Sequence, residues 1–207
     1  MSAFLGDSVM ISNHFVRGPE SWCSYDYHAS MVAGKHNVFI LTTWSPTGGI
    51  DDGGYVWTDH TRWSADTPEK PLSILPLLHY RSWVDADPMD LREAEMSVYL
   101  RGDDLQLDGA SCHFWIHASG TRWHLNSSSL DIGDGSWPTS PNRVELTPDE
   151  GSWHNSWAND PHNPTSLPDV LSGVVSYGFS FVGFSSEVMG RLSMARLELR
   201  RSCISEI

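Results

Sequence analysis

The stretch from Glu95 to Trp123 constrains the fold most, because it alternates at period two over two segments joined by a turn-forming run. In EMSVYLR, Met96, Val98 and Leu100 fall on one side and Ser97, Tyr99 and Arg101 on the other. In SCHFWIHA, Cys112, Phe114 and Ile116 are apolar on one side, while Ser111, His113, Trp115 and His117 gather opposite. Successive strand side chains point to opposite faces, so each segment reads as a half-buried strand. GDDLQLDGA between them reads as a turn. Pairing the two strands as neighbours sets Tyr99, Arg101, His113, Trp115 and His117 on one polar-aromatic surface, which is the expected functional site.

The same signal recurs along the chain in shorter form. VFILTTW, GYVWTD, SILPLLHYRSW, TRWHL, LDIGDGSWP and RVELTPDE are each bounded by Gly, Pro, Asn or Ser, and Pro76 argues for an edge position or a bulge. Tyr177, Phe179 and Phe181 share a face. In GRLSMARLELR, Leu192 and Met194 have one parity and Leu197 and Leu199 the other, a slip that a β-bulge at Ala195-Arg196 would produce. Hardly any segment has helical periodicity. The expected fold is therefore all-β, an antiparallel two-sheet β-sandwich formed by residues 37–207, with residues 1–36 as an N-terminal arm packed on it.

At 207 residues the chain fits one domain with a substantial core. Its 26 acidic residues against 13 basic give a net charge of -13, which excludes a nucleic-acid surface or an anionic membrane as partner. Ten tryptophans favour a binding face as well as a core. Three widely spaced cysteines, Cys23, Cys112 and Cys203, form neither a disulfide framework nor a metal pattern. MSAFLGDSVMIS lacks the basic and apolar regions of a signal peptide, and no run approaches the ~20 apolar residues of a membrane span. The reading is a cytoplasmic protein, or a secreted one whose signal peptide is not part of this sequence.

His113 and His117 recur at spacing four, which on a helix would place both imidazoles on one ion. On a strand their Cα atoms stand ~13 Å apart, so no shared metal is expected. The spacing suits Trp115 as a central platform with a histidine at either end. Arg122 and His124 join that surface from the next strand, with Trp123 beside them. The run from Gly151 to Asp169 carries Trp153, His154 and Trp157 and is expected to act as a lid over it. The alternative is that these side chains pack beneath a covering loop. Asp51-Asp52 and the Asp85, Asp87, Asp90 turn lack the spacing of a calcium loop and read as solvated carboxylates. No cofactor is expected, and no GxSxG, GxGxxG, P-loop or HExxH motif occurs.

Short strands, a Trp-rich face, a late aromatic strand and a closing GRLSMARLEL strand resemble the jelly-roll modules of the concanavalin-like and carbohydrate-binding superfamilies. The likeness covers roughly residues 37 to 200 and is architectural. Many such modules place a calcium-ligating Asp in the closing strand, where this chain has Ala195-Arg196. The resemblance implies a binding site for a glycan or a small glycoside on a Trp/His/Arg/Tyr surface, ligated by Trp115, Trp123, Arg122, His124, Trp153, His154 and Trp157. The other reading is a small jelly-roll lyase or hydrolase with His113, His117, Tyr99 and Arg101 as its acid-base set.

Overall fold

Apolar alternation and β-branched residues carry most of the chain into strands, and Gly, Pro, Asn and Asp interrupt them. The computed structural model describes residues 8–201 apart from 35 and 68. Its strands are β1 (Ser8–Asn13), β2 (Trp22–Tyr25), β3 (Phe39–Leu41), β4 (Thr43–Ser45), β5 (Tyr55–Asp59), β6 (Ser64–Ala65), β7 (Ile74–Tyr80) and β8 (Ala94–Gln106). They continue with β9 (Ser111–Ala118), β10 (Thr121–Leu125), β11 (Gly133–Asp134), β12 (Asn142–Leu146), β13 (Trp153–Ala158), β14 (Ser176–Val182) and β15 (Met189–Arg201). Two short helices, α1 (Tyr27–Val32) and α2 (Leu167–Ser172), are capped by Asp26 and Ser166, whose side chains accept from the Ala29 and Asp169 N–H groups. No described helix is long and apolar enough to cross a membrane.

The strands make the expected two-sheet sandwich. Sheet one has the order β11-β8-β15-β5-β4, with β1 also beside β15 and β12 beside β8; sheet two has the order β13-β10-β9-β14-β7-β2-β3, with β6 beside β7. The pairing of β11 with β8 is parallel; the long central pairs β8–β15 and β9–β14 are antiparallel. Met96, Val98 and Leu100 from sheet one meet Phe114, Ile116, Tyr177, Phe179 and Phe181 from sheet two, and all lie within 1% of complete burial. The parity of each segment predicted these inward faces. Cys23 and Cys112 are buried free thiols, and burial raises the Cys23 thiol to about 12; Cys203 lies outside the described residues.

Four expectations change. β8 and β9 are not neighbours: β8 pairs with β15 and β12, β9 with β10 and β14, and the turn between them crosses from one sheet to the other. Alternation fixes which side of a strand is buried, and a strand can bury that side from either sheet. VFILTTW likewise splits into β3 and β4 in different sheets, around a buried Thr42 whose N–H and hydroxyl both donate to the Trp22 carbonyl. The expected N-terminal arm supplies strands to both sheets, β1 on β15 and β2 between β7 and β3, and buries Phe15 and Trp22 completely. Pro76 stands in an interior strand, at a break in register between Ile74 and Leu77, so the bulge holds and the edge position does not. The closing strand slips register between Ala195 and Glu198, with Arg196 at φ 46°, as its parity change requires.

Candidate functional site

The outer face of sheet two carries a row formed by direct cross-strand partners: His154 on β13, His124 on β10, Trp115 on β9, Gly178 on β14 and Leu78 on β7. A parallel row holds Trp157, Arg122, His117, Ser176 and Tyr80. Central strand β14 presents Ser176, Gly178 and Ser180 outward, because Tyr177, Phe179 and Phe181 take the inward positions. Small residues in the middle and large ones on β9 and β7 leave a trough. At Gly178 a Cβ would lie 2.2 Å from the Leu77 carbonyl oxygen, so no larger residue fits there.

The trough opens into a cleft of about 370 Å³ lined by Trp115, His117, Arg122 and Trp157 from the predicted set, together with Tyr25, Tyr27, Phe39 and Tyr80. Phe39 connects its far wall, with its ring 4.1 Å from Trp83, 5.3 Å from Tyr25 and 6.3 Å from Tyr80. Trp115 forms part of the floor. It is 3% exposed, packs with Cys23, Leu75 and Leu78 in an apolar cluster separate from the main core, and its indole Nε1 has no partner. Trp157 stays 40% exposed at the rim.

Arg122 crosses this floor. Its guanidinium stands 5.9 Å from the Trp115 ring centroid, and Nη2 donates to Asp66 and to Ser73 Oγ while Nε donates to Ser156 Oγ at 3.2 Å. The side chains of Arg122 and Asp66 are only 8% and 6% exposed, so the charges are paired away from water. Burial, and then the Arg122 charge, lower the His117 imidazole to about 4, which keeps it neutral near pH 7. The cleft thus offers aromatic walls and polar groups with no net charge.

A second pocket of about 350 Å³ adjoins it on the same face and collects His113, His124 and His154. His113 Nδ1 lies 3.0 Å from the Leu125 carbonyl oxygen, and both ring nitrogens of His124 are buried without a partner. A third cavity, about 520 Å³ beside Trp63 and the 184–188 segment, contains none of the sequence-nominated residues.

The remaining nominees lie elsewhere. Tyr99 and Arg101 sit on β8, in the opposite sheet, so the proposed acid-base quartet with His113 and His117 is divided by the core. Arg101 is held between Tyr55 and Trp137, 5.0 and 4.6 Å from their ring centroids, and pairs with Asp103 at 3.1 Å. Trp123 and Trp153 have inward parity and join the main core, with their indoles donating to the Thr165 and Thr147 carbonyls. The expected lid is an edge strand: β13 pairs with β10, and a bulge at Ser156 sets Ser156 and Trp157 together beside Arg122. Among the described residues no three His, Cys, Asp or Glu side chains converge to hold a metal; Asp51 is paired with Arg196, and Asp90 with Arg92 and Arg201.

Sequence reasoning missed Tyr25, Phe39, Tyr80 and Asp66. The aromatic content of residues 22–28 was visible, but no periodicity tied it to a sheet. Phe39 and Tyr80 lie in strand-like runs, VFILTTW and SILPLLHYRSW, whose near-continuous apolar residues do not distinguish one face from the other, and Asp66 lies in a stretch with no strand-like alternation.

No protein-family model matches the chain, and no curated protein matches it. Three solved structures are similar in fold. The Clostridium thermocellum xylanase 10B CBM22-1–GH10 modules, complexed with xylohexaose, superpose with a TM-score of 0.52 at 9% identity over 98% of this chain, which spans 30% of that one. The family 11 carbohydrate-binding module of cellulosomal cellulase Lic26A-Cel5E of C. thermocellum gives 0.52 at 10% identity, with full coverage of both chains at 100%. The solution structure of CtCBM11 gives 0.53 at 11% identity, covering 98% of this chain and 99% of that one. At this identity the likeness establishes the fold alone, a two-sheet β-sandwich that these carbohydrate-binding modules share.

Proposed function

We propose that this protein binds a neutral glycan in the cleft on the outer face of sheet two. The observation that carries the reading is the combination of exposed and half-buried aromatic walls with a buried Asp66–Arg122 pair that cancels its own charge. Flat aromatic faces suit the apolar faces of sugar rings, and paired or neutral polar groups suit hydroxyls. A uronate would need an unpaired cation, and Arg122 already donates to Asp66, Ser73 and Ser156. The chain's net charge of -13 also opposes an anionic ligand. Its fold likeness to modules of a xylanase and a cellulosomal cellulase adds to the same reading. A polysaccharide ligand goes with the secreted form of the localisation expectation; the cytoplasmic form draws no support from these likenesses.

Affinity electrophoresis through gels containing xylan, mixed-linkage glucan or an acidic polysaccharide such as alginate tests this directly. Retardation by a neutral polymer, lost in Trp157→Ala and Tyr80→Ala and kept in Arg101→Ala, is the expected pattern. Retardation only by the acidic polymer would sink the reading.

A further inference from the structure

The three-histidine pocket has unused hydrogen-bonding capacity. His124 is 3% exposed and neither ring nitrogen has a partner, an unfavourable state for buried polar atoms unless something fills it. Burial first, then the charge of Arg122 and the neighbouring His113 and His154, keep its imidazole neutral, so it presents one donor and one acceptor. His113 must donate from Nδ1 to the Leu125 carbonyl, which can only accept, and its Nε2 is therefore left as an acceptor when neutral. Asn126, on the same wall, adds an amide with both capacities.

Alternating donors and acceptors of this kind match a ligand whose groups each do both, and adjacent ring hydroxyls are such groups. An anion would need donors throughout. A metal would need converging acceptors, and the described side chains do not converge on one.

We propose that this pocket is a second sugar subsite, holding the hydroxyl-rich continuation of the glycan chain whose body lies in the aromatic cleft. The proposal rests on the cleft reading. Ser156 stands between the two spaces: its Oγ accepts from Arg122, which lines the cleft, and the residue itself lines the histidine pocket. From His117 to His113 is four residues of β9, ~13 Å along the strand, longer than one sugar ring. The ligand is accordingly an oligomer rather than a monosaccharide.

Isothermal titration of the full chain with xylose and glucose oligomers, from disaccharide to hexasaccharide, separates the two claims. In the wild type, affinity in at least one series rises by about tenfold or more with length. His154→Ala, at an exposed position, and Asn126→Ala each bring the hexasaccharide down to the level of the short oligomers. Trp157→Ala weakens every length that binds. A length dependence that survives both pocket substitutions, or none in the wild type, overturns the subsite and leaves the cleft standing. Failure of every oligomer and polymer to bind overturns the cleft and the subsite with it. Saturable Zn²⁺ binding lost in His154→Ala, with sugar affinities unchanged, also overturns the subsite and makes the pocket a metal site.

Discussion

At the scale of single residues, a buried ion pair and a set of buried histidines govern the behaviour of sheet two. Arg122 and Asp66 are each more than nine-tenths buried, so removing one partner leaves an uncompensated charge. Asp66→Ala should destabilise the protein by about 3–5 kcal/mol in denaturant unfolding, and replacing both residues with apolar ones of similar volume should recover most of that. Equal losses in the single and double variants would contradict the pairing. His79 is 6% exposed, stacked on Tyr177 at 5.2 Å, and held down to about 4 by burial and then by Arg81. Its folded value lies below its ordinary value of 6.5, so between those values the unfolded chain binds more protons than the folded one. Stability is complete above about pH 6.5 and falls as pH drops toward 4, by on the order of 3 kcal/mol from His79 alone. His117 and His124, both lowered by burial, add to the same trend. Thermal midpoints measured across this window should fall with acidity, and His79→Phe should flatten the fall.

At the scale of elements, the alternating parity of β8 and β9 decides what is buried. Phe114 faces the core between the sheets at 1% exposure, and Phe114→Ala should cost about 3–5 kcal/mol. An unchanged midpoint would contradict the register of β9. These inward faces were legible because a period of two is a local property of the chain. So was the bulge at Ala195-Arg196, where the parity itself reverses. The partnership of strands was not legible, since β8 and β9 show the same pattern whether they lie side by side or face each other across the core. That is why Trp115, His117, Arg122 and Trp157 line one cleft while Tyr99 and Arg101 fall behind it. Trp123 was a different case: it alternates with Arg122 and His124, so its inward position was available from parity alone. Trp153 was hidden by a stretch that reads as loop yet forms the edge strand β13.

At the scale of the whole molecule, the two outer faces differ: sheet one packs arginines over its aromatic rings, while sheet two carries the cleft and the histidine pocket. On sheet one, Arg101 fills the space between Tyr55 and Trp137, and Arg191 covers Trp57 at 3.6 Å. On sheet two, the small outward residues of β14 leave a trough, and the N-terminal strands and the segment after β6 build its walls. With this asymmetry, Trp115 and Trp157 of the ten tryptophans line the cleft in which we propose that the glycan lies. The indole N–H resonances report on it one residue at a time. In a titration of ¹⁵N-labelled protein with xylohexaose or cellohexaose, the Trp115 and Trp157 indoles should shift saturably, since one is unpartnered in the floor and the other exposed at the rim. Trp22, Trp123 and Trp153, whose indoles donate within the protein, should stay in place. Saturable shifts confined to Trp57 and Trp137, on the opposite sheet, would contradict the account.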